Sequence, residues 1–218
     1  MAGLAGWFKA DAIAGVADGA PVASWVDSSG RGHALSAPTG RQPLYRSNQV
    51  NGRPAVSFDG VDDLLQAYFP LNQPTTVFVV YRVRTDQGTQ FVTDGFNNGA
   101  MADYVSGTQY GMYASGGTVL TKDGFTYAAF HVVGSVFNGV ASALYAEGGP
   151  AVAGNSGSAS PSGLTIGNSG VGGAAAAADV AEVVLYDRAL GPTDLDTVGN
   201  YLAAKYARTW APAAGTTL

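Results

Sequence analysis

Three carboxylates crowd into one short stretch of this chain, "NGRPAVSFDGVDDLL", which runs from Asn51 to Leu65 and holds Asp59, Asp62 and Asp63. Calcium takes about six to eight hard oxygen ligands, and clustered carboxylates on loops are its usual suppliers. Joined by Asp27 and a backbone carbonyl, the trio makes a candidate calcium site, though nothing else in the chain requires the ion. The competing role is turn chemistry. Asp59-Gly60 is itself a hairpin-turn dipeptide, and the trio lacks the regular ligand spacing of an EF-hand. In a strand Asp62 and Asp63 point to opposite faces, so only one of them joins Asp59 unless the chain bends.

Glycoside hydrolysis asks for two carboxyl groups about 5–5.5 Å or 6.5–9.5 Å apart. Glu147 and Glu182 are the only glutamates, and Glu182 and Asp187 fall on opposite faces of an ideal strand. His33 lies in the turn-rich "SSGRGHAL", and His131 opens the strand-like "HVVGSVF". Neither has a carboxylate pattern beside it that would make a metal site. There is no G-x-S-x-G elbow. No catalytic residue is assigned, and the chain is expected not to be an enzyme.

Aromatic residues offer a different chemistry. Tyr104, Tyr110 and Tyr113 alternate with small polar residues in "MADYVSGTQYGMYASGG", and Asn97, Asn98 and Asp103 are close in sequence. Sugars stack their apolar C–H faces on aromatic rings while their hydroxyls seek amides and carboxylates. These six residues are therefore the candidate glycan-binding set. The alternative is that the tyrosines fill a sheet face or a protein interface. Trp7 and Trp25 lie in strand-like segments and are expected in the core.

The elements that would position these residues are mostly strands. "PLYRSNQV" and "RPAVSF" flank Asn51-Gly52, a dipeptide suited to a type I′ hairpin. Residues 76–84, "TVFVVYRVR", read as a strand buried on both faces. "HVVGSVF" and "VASALYA" flank Asn138-Gly139, read as a second two-residue hairpin, and "GLTIG" and "ADVAEVVLYDRAL" hold further strands. One helix follows Gly191-Pro192, with Leu195, Val198, Leu202 and Tyr206 on one stripe. Residues 147–162 and 168–178 are Gly/Ser/Ala-rich and read as long surface loops. Many short strands and one late helix predict an all-β sandwich of two antiparallel sheets. It spans residues 1–208, leaving 209–218 as a tail that frays or docks.

"GWFKADAI", "VASWVDSSGRGHAL", "NGRPAVSFDGVDDLL", "TVFVVYRV", "LTIG" and "VAEVVLYDRALGPTDLDTVGNYLAAKY" together resemble the LamG-like domains of the concanavalin A-like lectin/glucanase superfamily. The likeness runs from about Leu4 to Tyr206, and "FDGVDD" followed by "AEVVLYDRAL" is its most specific part. It implies a jelly roll that binds more often than it catalyses, on secreted bacterial proteins or in bacteriophage particles. Relatives that bind calcium raise the interest of the aspartate trio.

Charge and composition narrow the partners. A formal net charge of −5 with no Lys/Arg cluster excludes the electrostatic footprint of a nucleic-acid binder. The longest apolar runs are too short to cross a bilayer. The 218 residues contain no cysteine, so disulfides, thiolate metal sites and a cysteine nucleophile are excluded. Thirty-one glycines and few charges suit a neutral surface that packs against other proteins, though simple compositional bias is the favoured explanation. "MAGLAGWFKADA" lacks the basic start and apolar core of a signal peptide. The expectation is a module on a bacteriophage virion surface, in capsid or tail. It would contact other virion proteins or further copies of itself, and would attach weakly to host glycans. The alternative is an extracellular carbohydrate-binding module of a secreted bacterial polysaccharide-processing protein.

Overall fold

A computed structural model describes residues 2–96 and 101–213. In chain order its first strands are β1 (Leu4–Lys9), β2 (Ser24–Trp25), β3 (Leu35–Ser36), β4 (Leu44–Val50), β5 (Arg53–Ser57) and β6 (Leu65–Tyr68). Then come β7 (Thr75–Val83), β8 (Gln90–Asp94), β9 (Met101–Ser106), β10 (Gln109–Ala114), β11 (Leu120–Asp123) and β12 (His131–Phe137). The chain closes with β13 (Ser142–Ala146), β14 (Val152–Gly154), β15 (Gly163–Ile166), β16 (Ala178–Tyr186) and the helix α1 (Pro192–Tyr206). One sheet runs β14-β13-β12-β7-β16-β5-β4, with β1 on the second half of β16; the other runs β11-β10-β9-β8-β15-β6-β3-β2. Every named pairing is antiparallel. The all-β two-sheet antiparallel sandwich with one C-terminal helix is thus the fold observed.

The β-branched run of β7 explains its place at the centre of the first sheet. Val77, Val79 and Tyr81 face the space between the sheets, while Phe78 and Val80 face outward into a second apolar cluster. Burying a side chain of this kind contributes roughly 1.5–3 kcal/mol, so a strand that is apolar on both faces is driven inside. Helix α1 covers that outer face, laying Leu195, Val198, Leu202 and Tyr206 on Phe78, Val80 and Val132. These are the four positions the 3.6-residue period marks.

Asn51 and Gly52 have φ of 46° and 72°, the two left-handed residues of a type I′ turn, and Val50 pairs with Arg53 as expected. Asn138-Gly139 departs from the expected two-residue hairpin. Val140 and Ala141 also leave the ladder, in a short 3₁₀ turn, and pairing resumes at Val136 with Ala143. The cause is Ser142, whose hydroxyl accepts from the Asn138 N–H and donates to the Gly139 carbonyl. The Gln73 side chain also captures the Gly139 N–H at 2.9 Å. Asp59-Gly60 is not a hairpin turn either, because it leads from β5 in one sheet to β6 in the other.

The small-residue segments are tied down more than their composition suggests. Residues 147–162 include β14, and Ala114 N–H donates to Ser156 O at 2.6 Å. In 168–178, Ala176 and Ala177 are buried, and Gln90 Oε1 accepts from Ala177 N–H. Trp210 packs on its own chain, with its ring against Phe78 and its Nε1 donating to Asp196 at 3.0 Å.

Candidate functional site

Two surfaces collect the residues singled out by sequence. The larger is a basin of about 560 Å³ on the outer face of the first sheet, beyond the end of α1. The alternation in β7 that turns Phe78 and Val80 outward continues into Arg82 and Arg84. Both arginines grip the buried Asp179, at 2.6 and 2.7 Å, one on each carboxylate oxygen. Arg82 also donates to Gln49 and Arg84 to Ser57. Arg46, Asp18, Asp59 and Asp63 complete the walls. The "YRVR" alternation is the signal for this cluster in the sequence.

Asp59, Asp62 and Asp63 do come together, with one oxygen from each within 4.8 Å of the others. Residues 62 and 63 lie outside the strands, so the opposite-face rule does not apply to them. Their oxygens are largely committed to the loop. Asp59 Oδ1 accepts from Val61 N–H at 2.8 Å, Asp63 Oδ2 accepts from Asp59 N–H at 2.9 Å, and Asp62 lies 3.7 Å from Arg41. One oxygen on each residue remains, well short of the roughly six to eight that calcium takes. The donor set does not fit the ion without extensive help from water. Burial, with the neighbouring Asp59 and Asp62 charges, raises the Asp63 pKa, while the Asp59 N–H hydrogen bond opposes the rise. Asp27 is not part of the cluster; it accepts from Trp7, Ser29 and His33 N–H groups, which hold its pKa down against the cost of burial.

The second surface is an aromatic shelf with a depression of about 310 Å³ on the outer face of the other sheet. Tyr104 of β9 and Phe91 of β8 are cross-strand partners, and their rings stack at 5.5 Å and 24°. Tyr113 of β10 adds a third ring, and Thr89, Ser106, Gln109 and Thr121 surround them with hydroxyls and an amide. Tyr104 pairs with Gly111, and the ring lies so close over that glycine that a β-carbon there would meet Cζ at 2.3 Å. Burial raises the pKa of the Tyr104 hydroxyl. Phe91 and Gly111 were missed by sequence reasoning, since only strand register reveals them as neighbours of Tyr104.

The other candidate glycan residues divide by the pleat. Asp103 precedes Tyr104 and Tyr110 lies three before Tyr113, so both point between the sheets. Asp103 is 2% exposed and accepts from Ser135 and Thr93 hydroxyls. Burial pushes its pKa up to about 7, helped by nearby Asp94 and opposed by the two hydroxyls. Tyr110 is 4% exposed and its hydroxyl meets His131 Nδ1 at 2.8 Å. Neither side chain reaches a ligand on the shelf. Asn97 and Asn98 lie outside the described residues.

Two glutamates find unexpected partners. His131, read from sequence as lacking a carboxylate, has Glu147 Oε1 2.9 Å from Nδ1, across the β12–β13 pairing that sequence spacing does not show. Glu182 is fully buried on the outer face and accepts from Trp7 Nε1, Tyr201, Tyr206 and Lys205 at 2.5, 3.0, 2.7 and 2.6 Å. Trp7 is therefore half-buried beside α1, whereas Trp25 lies in the inter-sheet core as expected. His33 stacks on Phe69 at 4.3 Å.

No protein-family model matches this chain, and neither does a curated protein sequence. Solved structures do resemble it. A Trypanosoma rangeli sialidase in complex with sialic acid superposes with a TM-score of 0.69 at 16% identity, over 96% of this chain and 34% of that one. The ligand-binding domain of botulinum neurotoxin serotype D, in complex with N-acetylneuraminic acid, gives 0.66 at 9% identity, over 91% and 51%. The type G receptor-binding domain gives 0.65 at 8% identity, over 92% and 52%. This chain spans about a third of the sialidase and half of the toxin domains. At such identities the likeness is one of fold, a β-sandwich.

Proposed function

We propose that this chain is a non-enzymatic carbohydrate-binding sandwich of LamG-like type, with the aromatic shelf as its contact surface. One observation carries the proposal: Phe91 and Tyr104 stack as a flat platform, extended by Tyr113 and rimmed by hydroxyl and amide groups. A pyranose ring needs both halves of that arrangement, a flat apolar surface and converging polar groups. Similar structures solved with sialic acids support a binding role for the fold.

Binding is preferred to hydrolysis because of where the carboxylates sit. Glu182 and Asp103 are enclosed by hydrogen-bond partners. Of the carboxylates that line the basin, Asp59 and Asp63 hang from one loop, Asp179 is held by Arg82 and Arg84, and Asp18 accepts from the Ser47 N–H and hydroxyl, so each is already committed to a partner. A glycan array read with the parent and with Tyr104→Ala tests the proposal. Tyr104-dependent capture of a glycan is the expected result, and reducing sugar released by the parent but not by Asp63→Asn would overturn it.

The shelf suits both settings suggested by the sequence. One is attachment of a bacteriophage virion to host glycans, and the other is a module of a secreted polysaccharide-processing protein. Electron microscopy of the source particle separates them, since a decoration protein occupies repeated, symmetric positions.

A further inference from the structure

We infer that the shelf selects neutral pyranose chains and disfavours sialylated ones, a conclusion that rests on the carbohydrate-binding proposal and names its ligand class. The residues lining the depression are Phe91, Tyr104, Tyr113 and Val119 with hydroxyl and amide groups, and none of them is charged. A negative charge adjoins the lining. Gln109 Nε2, on the rim, donates to Asp123 Oδ1 at 2.8 Å.

The cation on the neighbouring strand is directed elsewhere. Lys122 lies between Thr121 and Asp123 on β11, but its ammonium donates to the carbonyls of Ala146, Gly148 and Pro150, each at 3.2 Å. Burial lowers its pKa, with the Glu147 charge opposing. Arg46, Arg82 and Arg84 all line the basin on the opposite sheet. A sialic acid on the shelf would lose water from its carboxylate with no cation among the described lining residues to replace it, and would sit near Asp123. An unpaired charge in a partly dry site is strongly unfavourable. A neutral ring meets no such cost. It lays C–H groups on Tyr104 and Phe91 and finds Thr89, Ser106, Gln109 and Thr121 for its hydroxyls.

The experiment is calorimetric titration of the full chain with neutral tetrasaccharides: cello-, laminari- and maltotetraose and lacto-N-neotetraose. The α2,3- and α2,6-sialylated derivatives of lacto-N-neotetraose are run beside them. At least one neutral chain is expected to bind, with binding lost in Tyr104→Ala. The best neutral chain is expected to bind at least about tenfold more tightly than either sialylated one, about 1.4 kcal/mol. Replacing Asp123 by Asn narrows that gap at low salt, where the repulsion is least screened. Sialylated chains binding as tightly as neutral ones, in a Tyr104-dependent way, overturn the selectivity and leave the binding role standing. Absence of binding by every glycan overturns both.

Discussion

The Tyr104 ring lies flat over Gly111 on the neighbouring strand, where a β-carbon would come within 2.3 Å of Cζ, 2.5 Å of Cε2 and 2.8 Å of Cε1. Three ring atoms this close leave no room for a side chain. The aromatic shelf thus depends on a residue that touches no ligand.

Gly111→Ala is expected to tilt the Tyr104 ring away from Phe91 and weaken glycan binding several-fold, while the sandwich still folds. Overpacking of this kind costs typically about 1–3 kcal/mol. Binding titrations beside far-ultraviolet circular dichroism check it, and unchanged affinity would show that the Tyr104 position is immaterial.

Asp103 gives the fold a pH dependence. Burial raises its folded pKa to about 7, from the 3.8 of an ordinary aspartate. Its stabilising contribution is therefore present in full below pH 4 and is lost as the pH rises through 7. A shift of this size corresponds to a few kcal/mol, of the order of 4. Urea melts from pH 4 to pH 8 are expected to show this decline in the parent and a flatter profile in Asp103→Asn. Parallel profiles would place the titration elsewhere.

Gly199→Ala should destabilise the protein even though alanine favours helices. A β-carbon at 199 would lie 2.2 Å from the Trp210 ring. Trp210→Ala empties the same site and is expected to cost roughly 3–5 kcal/mol. The double variant should recover part of the Gly199→Ala loss. Thermal denaturation of the three proteins decides it, and strict additivity would refute the contact.

Glu182→Gln keeps the shape of the buried side chain but removes the charge facing Lys205. Breaking one side of a buried pair costs about 3–5 kcal/mol. Asp11, 3.1 Å from the same ammonium, moderates the loss toward the lower end. Denaturant unfolding measures it, and a neutral effect would mean that Asp11 alone satisfies Lys205.

Millimolar calcium is expected to leave the melting temperature unchanged, because Asp59, Asp62 and Asp63 spend much of their donor capacity on their own loop and on Arg41. A rise of several degrees that Asp59→Asn abolishes would show water completing a calcium shell. Asp59→Asn without calcium should change stability little, since an amide oxygen still accepts from Val61 N–H.

Much of the architecture follows from local sequence. The unbroken β-branched run of β7, the Asn51-Gly52 dipeptide and the Leu195–Val198–Leu202–Tyr206 stripe each admit few conformations, because periodicity and left-handed turn residues act over short distances. The pleat also separates Tyr104 and Tyr113 from Asp103 and Tyr110, a distinction present in the sequence once the strands are known. Asn138-Gly139 resembled Asn51-Gly52 but was overruled by Ser142, with help from Gln73, a residue 66 positions away.

Sequence by itself determined which segments extend, which one coils and which residues are apolar enough to fill two layers. Tertiary structure alone decided that Phe91 and Gly111 complete the Tyr104 shelf, that Arg82 and Arg84 close on Asp179, that Glu147 meets His131, and that Trp210 folds back onto Gly199 and Asp196 of its own helix. Each of these contacts joins residues of different elements or of the segments that follow them. The register between strands is set by the collective packing of the core, so no stretch of sequence read alone contains it.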